Sequence, residues 1–217
     1  MKITLQDATV VINNTSRYNN KQYDTVRVET LLTTTEALPN EMTWYVPSGT
    51  SIPPEVASLF KAKNIRMFPQ REETLLKGTE DIIEQSKAEN VLGVLEDASN
   101  LLLRAVLKET PLTPITGSPN TYTLSYEYKL FPIDTENNTF EFFIILPFDG
   151  LAVAQGGRVQ MTILTPIGAK IDPNETKGIA DTGEEISEMV ADITHTNRQV
   201  VSFGWQNDPA FTVRYSY

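Results

Sequence analysis

Between Thr121 and Leu130 polar and apolar residues alternate without a break. Tyr122, Leu124, Tyr126, Tyr128 and Leu130 stand against Thr121, Thr123, Ser125, Glu127 and Lys129. Successive side chains of an extended chain point to opposite faces, so this is a long strand with one dry and one wet face. Residues 140–146 are apolar almost throughout, which predicts a central strand covered on both sides. Val159, Met161 and Ile163 continue the sheet as far as Pro166. Residues 200–205 and the set Phe211, Val213, Tyr215 and Tyr217 predict a closing hairpin about Asn207, Asp208 and Pro209. The first third is also β-rich. Ile3 and Leu5, the run Val10, Val11 and Ile12, the pair Val26 and Val28, and residues 42–46 all predict strands, with residues 13–22 as a polar loop.

The period changes after Pro47, Ser48 and Gly49. A cap at Thr50 or Ser51, Pro53 and Pro54 in a first turn, and Glu55 at the positive dipole end announce a helix. Its apolar stripe is Val56, Leu59 and Phe60, and Lys61, Lys63 and Asn64 suit its C-terminal end. Residues 65–68 read as a returning strand, which would make a small strand–helix–strand crossover. Residues 71–108 are the longest helical stretch. Leu75, Leu76, Thr79, Ile82, Ile83 and Ser86 share one face. Val91, Val94, Leu95, Ala98, Leu101, Leu102 and Ala105 form a second stripe. Asn90 and Gly93 weaken the middle and leave open whether this is one helix or two. Pro111 and Pro114 end it. At that end Leu101, Leu102, Leu103, Val106 and Leu107 are apolar on more than one face, which marks them as contact residues for a sheet or a second chain.

These elements predict a mostly β (α+β) protein: an antiparallel β-sandwich, with the jelly roll as candidate topology, and a helical insertion at residues 53–108. The reading is of one domain over residues 1–217. Prolines cluster at 111–119, where a split would fall. Residues 171–188, acidic and punctuated by Pro173, Gly178 and Gly183, read as a long surface loop with a short helix at 183–190.

Composition narrows the function classes. The chain has 217 residues, 40% of them apolar, enough to bury a core unaided. With 28 acidic and 18 basic residues its formal charge is −10. Such a surface repels phosphate backbones, so nucleic acid is not an expected partner. No apolar run approaches a membrane span, and an acidic residue arrives at Asp7, too early for a signal peptide. There is no cysteine, which removes thiol chemistry and disulfides.

Catalytic signatures are sparse. His195 is the single histidine, and no Gly-x-Ser-x-Gly turn accompanies it. It reads as an exposed or hydrogen-bonded loop residue. No glycine-rich phosphate cradle is present, so no cofactor is expected. No carboxylate pair stands out for hydrolysis; Glu127 and Glu141, expected on neighbouring strands, could face one another, but Glu127 is on the wet face of its strand and they read as solvated surface charge. Asp172, Asn174, Glu175, Asp181, Glu184 and Glu185 supply oxygens of the kind Ca²⁺ takes, without EF-hand spacing, and read as an ordinary acidic loop.

Two function classes follow. The first is a non-enzymatic structural subunit of a homo-oligomeric particle, such as a phage or virus capsid, vertex or tail, with Leu101, Leu102, Leu103, Val106 and Leu107 in the contact. The second is a carbohydrate-binding module that presents Trp44, Tyr126, Tyr128 and Trp205 to a sugar. The tyrosines, on the single apolar face of a strand, are more simply accounted for as core.

Overall fold

The computed structural model describes residues 1–39, 42–50 and 52–217. Strands β1 (Lys2–Asn13), β2 (Asp24–Thr34) and β3 (Thr43–Pro47) come first. Helices α1 (Pro54–Ala62), α2 (Glu72–Leu75), α3 (Ile82–Lys87) and α4 (Val91–Val106) follow. Then come β4 (Leu107–Pro111), β5 (Thr113–Pro114), β6 (Thr121–Leu130), β7 (Thr139–Ile145) and β8 (Ala152–Leu164). The chain closes with β9 (Lys170–Ile171), β10 (Lys177–Ile179), β11 (Glu185–Ile186), β12 (Met189–Ile193), β13 (Arg198–Trp205) and β14 (Ala210–Ser216). The protein is mostly β, an α+β sandwich with a few short helices.

Seven strands form the larger sheet in the order β12, β13, β8, β1, β2, β6, β5. The smaller sheet runs β11, β10, β14, β7, with β9 also on β14. Their inner faces meet in one core. Val10, Ile12, Val28, Leu124, Tyr126 and Tyr128 come from the larger sheet, and Phe140, Phe142, Ile144, Phe211, Val213 and Tyr215 from the smaller. The alternation read along residues 121–130 is the observed burial of β6. One ladder breaks the antiparallel pattern: β1 and β8 run parallel. Their register jumps from Ile3 opposite Val153 to Leu5 opposite Arg158. Gly156 and Gly157 lie at this jump and form a bulge inside β8. Gly157 fits because a Cβ there would come within 2.8 Å of the Ile3 carbonyl oxygen.

Several expectations are corrected. Strand β7, expected to be central, is an edge strand that among the described residues pairs only with β14. Its outer face is apolar because another segment covers it. Phe68 meets Phe143 edge-on at 5.7 Å, the Arg66 guanidinium lies 4.5 Å from the same ring's centroid, and Arg66 pairs with Glu141 at 3.0 Å. Residues 65–68 form no strand; Gln70 makes one antiparallel bridge to Tyr45, so there is no crossover. Strands β13 and β14 are not a hairpin, since they belong to different sheets and residues 206–209 carry the chain between them. In place of a loop and helix at 171–190 there are β9, β10 and β11 and the start of β12.

A ribbon of β3 and β4 stands apart from both sheets. The period of two along β3 sends Trp44 and Val46 into the main core and Tyr45 into a second one, made with Phe60, Leu75, Leu103, Val106 and Leu107. This second core is what the helices cover. α1 ends as its sequence predicts: Asn64 has φ 52°, Ile65 N–H donates to Phe60 O at 2.8 Å and Asn64 N–H to Lys61 O at 3.2 Å. Its start differs, because Pro53 occupies the cap position with no side-chain hydrogen bond, and the alternative cap Ser51 lies outside the described residues. The stretch 71–108 is broken at Gly78, which has φ 84°, and again at Asn90, whose side chain caps α4 by accepting from Gly93 N–H at 3.2 Å.

Buried tyrosines give the fold an alkaline limit. Burial raises the Tyr126, Tyr128, Tyr215 and Tyr217 hydroxyls above their usual value of 10.0, and at Tyr215 and Tyr217 the Asp24 carboxylate adds to this. A group held protonated in the fold stabilises fully below the unfolded value and loses that contribution as pH climbs past it. We expect the urea midpoint to be insensitive to pH from neutrality to about 9 and to fall steeply above about 10. A urea midpoint that stays unchanged above about pH 10 would contradict this.

Candidate functional site

α4 has two apolar faces, and only one is fully buried inside the chain. Leu103 and Val106 pack into the second core with Leu107 just beyond the helix. Arg104 closes that core from outside. Its guanidinium lies 3.7 Å from the Tyr45 ring centroid, donates to the Tyr45 hydroxyl at 2.8 Å and pairs with Glu72 at 3.1 Å. The other face is the stripe read from the sequence. Val91 is 75% and Leu101 42% exposed, Ala105 is exposed, and Val94, Leu95, Ala98 and Leu102 are half-buried.

At the α3–α4 junction the usual polarity is inverted. Asp97 is buried and accepts a hydrogen bond from Gln85 Nε2 at 2.7 Å, tying the two helices together. Ile83, at 66%, and Leu92, at 68%, face outward. The stripe expected to bury Ile83 therefore does not; of its members Leu75 is the buried one. A helix pair in water normally places carboxylates outside and branched aliphatics inside. Here an apolar surface is presented around a polar hinge. A second apolar stretch lies on β12, an edge strand that among the described residues pairs only with β13, and there Met189 and Val190 are exposed. Free sheet edges are templates for pairing with another chain.

The five contact residues named from the sequence thus divide. Leu103, Val106 and Leu107 are core of this chain, Leu102 packs partly against that core, and Leu101 is open. Sequence periodicity found the uncovered stripe but not which stripe is covered, because both repeat at helical spacing. Ile83 and Leu92 were missed as surface residues for the same reason.

The four aromatics named for sugar binding also divide. Trp44, Tyr126 and Tyr128 are buried in the main core. Trp205 is half-buried and lines an open groove of about 460 Å³ at the end of β13. Glu127 and Glu141 lie on different sheets, so they do not face one another. Glu141 instead accepts from Arg214 at 2.7 Å and Arg66 at 3.0 Å. His195 sits exposed in the turn between β12 and β13 with φ 65°. Of the acidic segment, Glu175 pairs with Arg214 and Glu185 with Lys177, while Asp172 accepts from Asn174 N–H. Among the described residues no group of three or more histidines and carboxylates is placed to hold a metal ion. No helix among them is long and apolar enough to cross a membrane.

No protein-family model matches the chain, and no characterised protein matches its sequence.

Proposed function

We propose that the chain is a non-enzymatic structural subunit that assembles with further copies of itself through the outward face of α3 and α4. The observation that supports this most is the uncovered stripe of Val91 and Leu101 with Ile83 and Leu92 beside it. Apolar side chains clustered on one surface favour a partner, because burying them releases water at roughly 25 cal/mol per Å². The outward α4 stripe is as regular as the face that builds the second core, so it supplies a second, ready-made packing surface. The free edge of β12 offers a further contact. Membership of a larger particle, a phage or virus capsid, vertex or tail, extends this proposal by analogy between sandwich folds and rests on no residue of its own.

Light scattering at micromolar concentration tests it, with a mass well above the 24.3 kDa of one chain expected. The double substitution Val91→Asp and Leu101→Asp should raise the dissociation constant at least about tenfold while leaving the melting temperature of the separated chain in place. A monomer at every concentration would sink the proposal.

A further inference from the structure

We propose that the groove beside Trp205 is a binding site for a saccharide that carries a carboxylate. This is independent of assembly through α3 and α4, since the groove lies on β8 and β13. Strand β12 pairs with β13 only as far as Ser202, so beyond it Gly204 and Trp205 stand at a free sheet edge. Gly204 pairs with Gln160 of β8, and Trp205 with Val159. A Cβ on Gly204 would meet nothing within 4 Å, so the missing side chain leaves a trough, and Trp205 lines it.

The chemistry around that trough is specific. Arg158, Gln160, Gln206 and Asn207 line it, and none of these four side chains makes a hydrogen bond or ion pair among the described residues. Trp205 Nε1 is likewise without a partner among them. Indole N–H groups shielded from water normally find an acceptor; this one is buried where Trp205 packs against the main core, so the donors open to the groove are those of Arg158 and the amides. Three amides supply paired donors and acceptors, the pattern that vicinal hydroxyls require. An indole face covers the C–H face of a sugar ring. Arg158 is an unpaired guanidinium in a chain of net charge −10, and its planar fork matches a carboxylate. Aromatic wall, amides and one free cation together select an acidic sugar over a neutral one.

The experiment uses the contrast between the two tryptophans. Trp44 is fully buried, so ligand-dependent change in tryptophan emission reports Trp205. Titration with glucuronic acid and N-acetylneuraminic acid should give a saturable change, with glucose and galactose at least about tenfold weaker. Saturation-transfer NMR then follows variants without relying on emission. Arg158→Ala should weaken the acidic sugars at least about tenfold and bring them level with the neutral ones. Gly204→Leu, which fills the trough where there is room, should abolish binding while leaving the melting temperature unchanged. Equal affinity for neutral and acidic sugars, or binding that survives Gly204→Leu, overturns the proposal. So does the absence of any signal from all four sugars.

Discussion

Trp44→Ala is expected to destabilise the fold by about 3–5 kcal/mol, the largest effect of any single aromatic truncation in the ribbon. Trp44 has no exposed surface and its ring sits 6.1 Å from that of Phe148. Its Nε1–H donates to the Asp149 carbonyl at 3.0 Å, and the Asp149 carboxylate accepts from Arg71 N–H at 2.9 Å. The indole therefore fills the main core and anchors the loop that fixes the start of the α2 segment. Truncation leaves a cavity next to Phe148 and an unpaired carbonyl, and neighbours fixed in two β ladders cannot collapse into the space. Urea unfolding followed by circular dichroism measures the loss. A cost below about 1 kcal/mol would show that the ribbon is not a wall between two cores. Such a variant would also separate the two tryptophans, since Trp44 is structural whereas Trp205 lines a groove.

Asp24→Ala is expected to cost a similar amount, about 3–5 kcal/mol, for an electrostatic reason. The carboxylate has no exposed surface and forms no ion pair among the described residues. Three donors replace its water: Ser16 N–H at 3.0 Å, the Tyr215 hydroxyl at 2.8 Å and the Tyr217 hydroxyl at 2.8 Å. This knot joins the larger sheet, through β2, to β14 of the smaller sheet. Alanine strands all three donors at once, and each unsatisfied group carries about 1–3 kcal/mol. Tyr217→Phe removes one hydrogen bond and leaves no stranded donor, so it should cost only about 1 kcal/mol. Equal losses in the two variants would mean that the carboxylate is not the centre of the knot.

Neither site could be read from the residue string. Asp24 follows a polar loop and precedes an alternating strand, which is how an exposed strand start looks. Its burial depends on two hydroxyls more than 180 residues away, from Tyr215 on β14 and Tyr217 just beyond it. Trp44 stands in a run, Trp44, Tyr45 and Val46, whose apolarity shows that both faces are covered and not that two separate cores cover them. Phe143 is similar. The continuous run through β7 signalled cover on both faces, and a central position in a sheet was the ordinary explanation; the segment carrying Arg66 and Phe68 supplied the cover instead. Strands β9, β10 and β11 have two or three residues each, too short for any period to register.

What the amino-acid sequence determined by itself was local. It set the alternation of β6, the halt of α1 at Asn64, the acidic charge and the shortage of catalytic groups, and it marked Asn90 as a weak point without deciding whether the helix breaks there. These follow from backbone sterics, side-chain period and ionisation, which act over a few residues. The tertiary structure alone decided which strands became neighbours: β1 beside β8 in parallel, and β13 and β14 in opposite sheets. It decided, too, which stripe of α4 was buried. Two apolar faces on one helix are equivalent until a second core forms against one of them, and the face left over is where the proposed assembly begins.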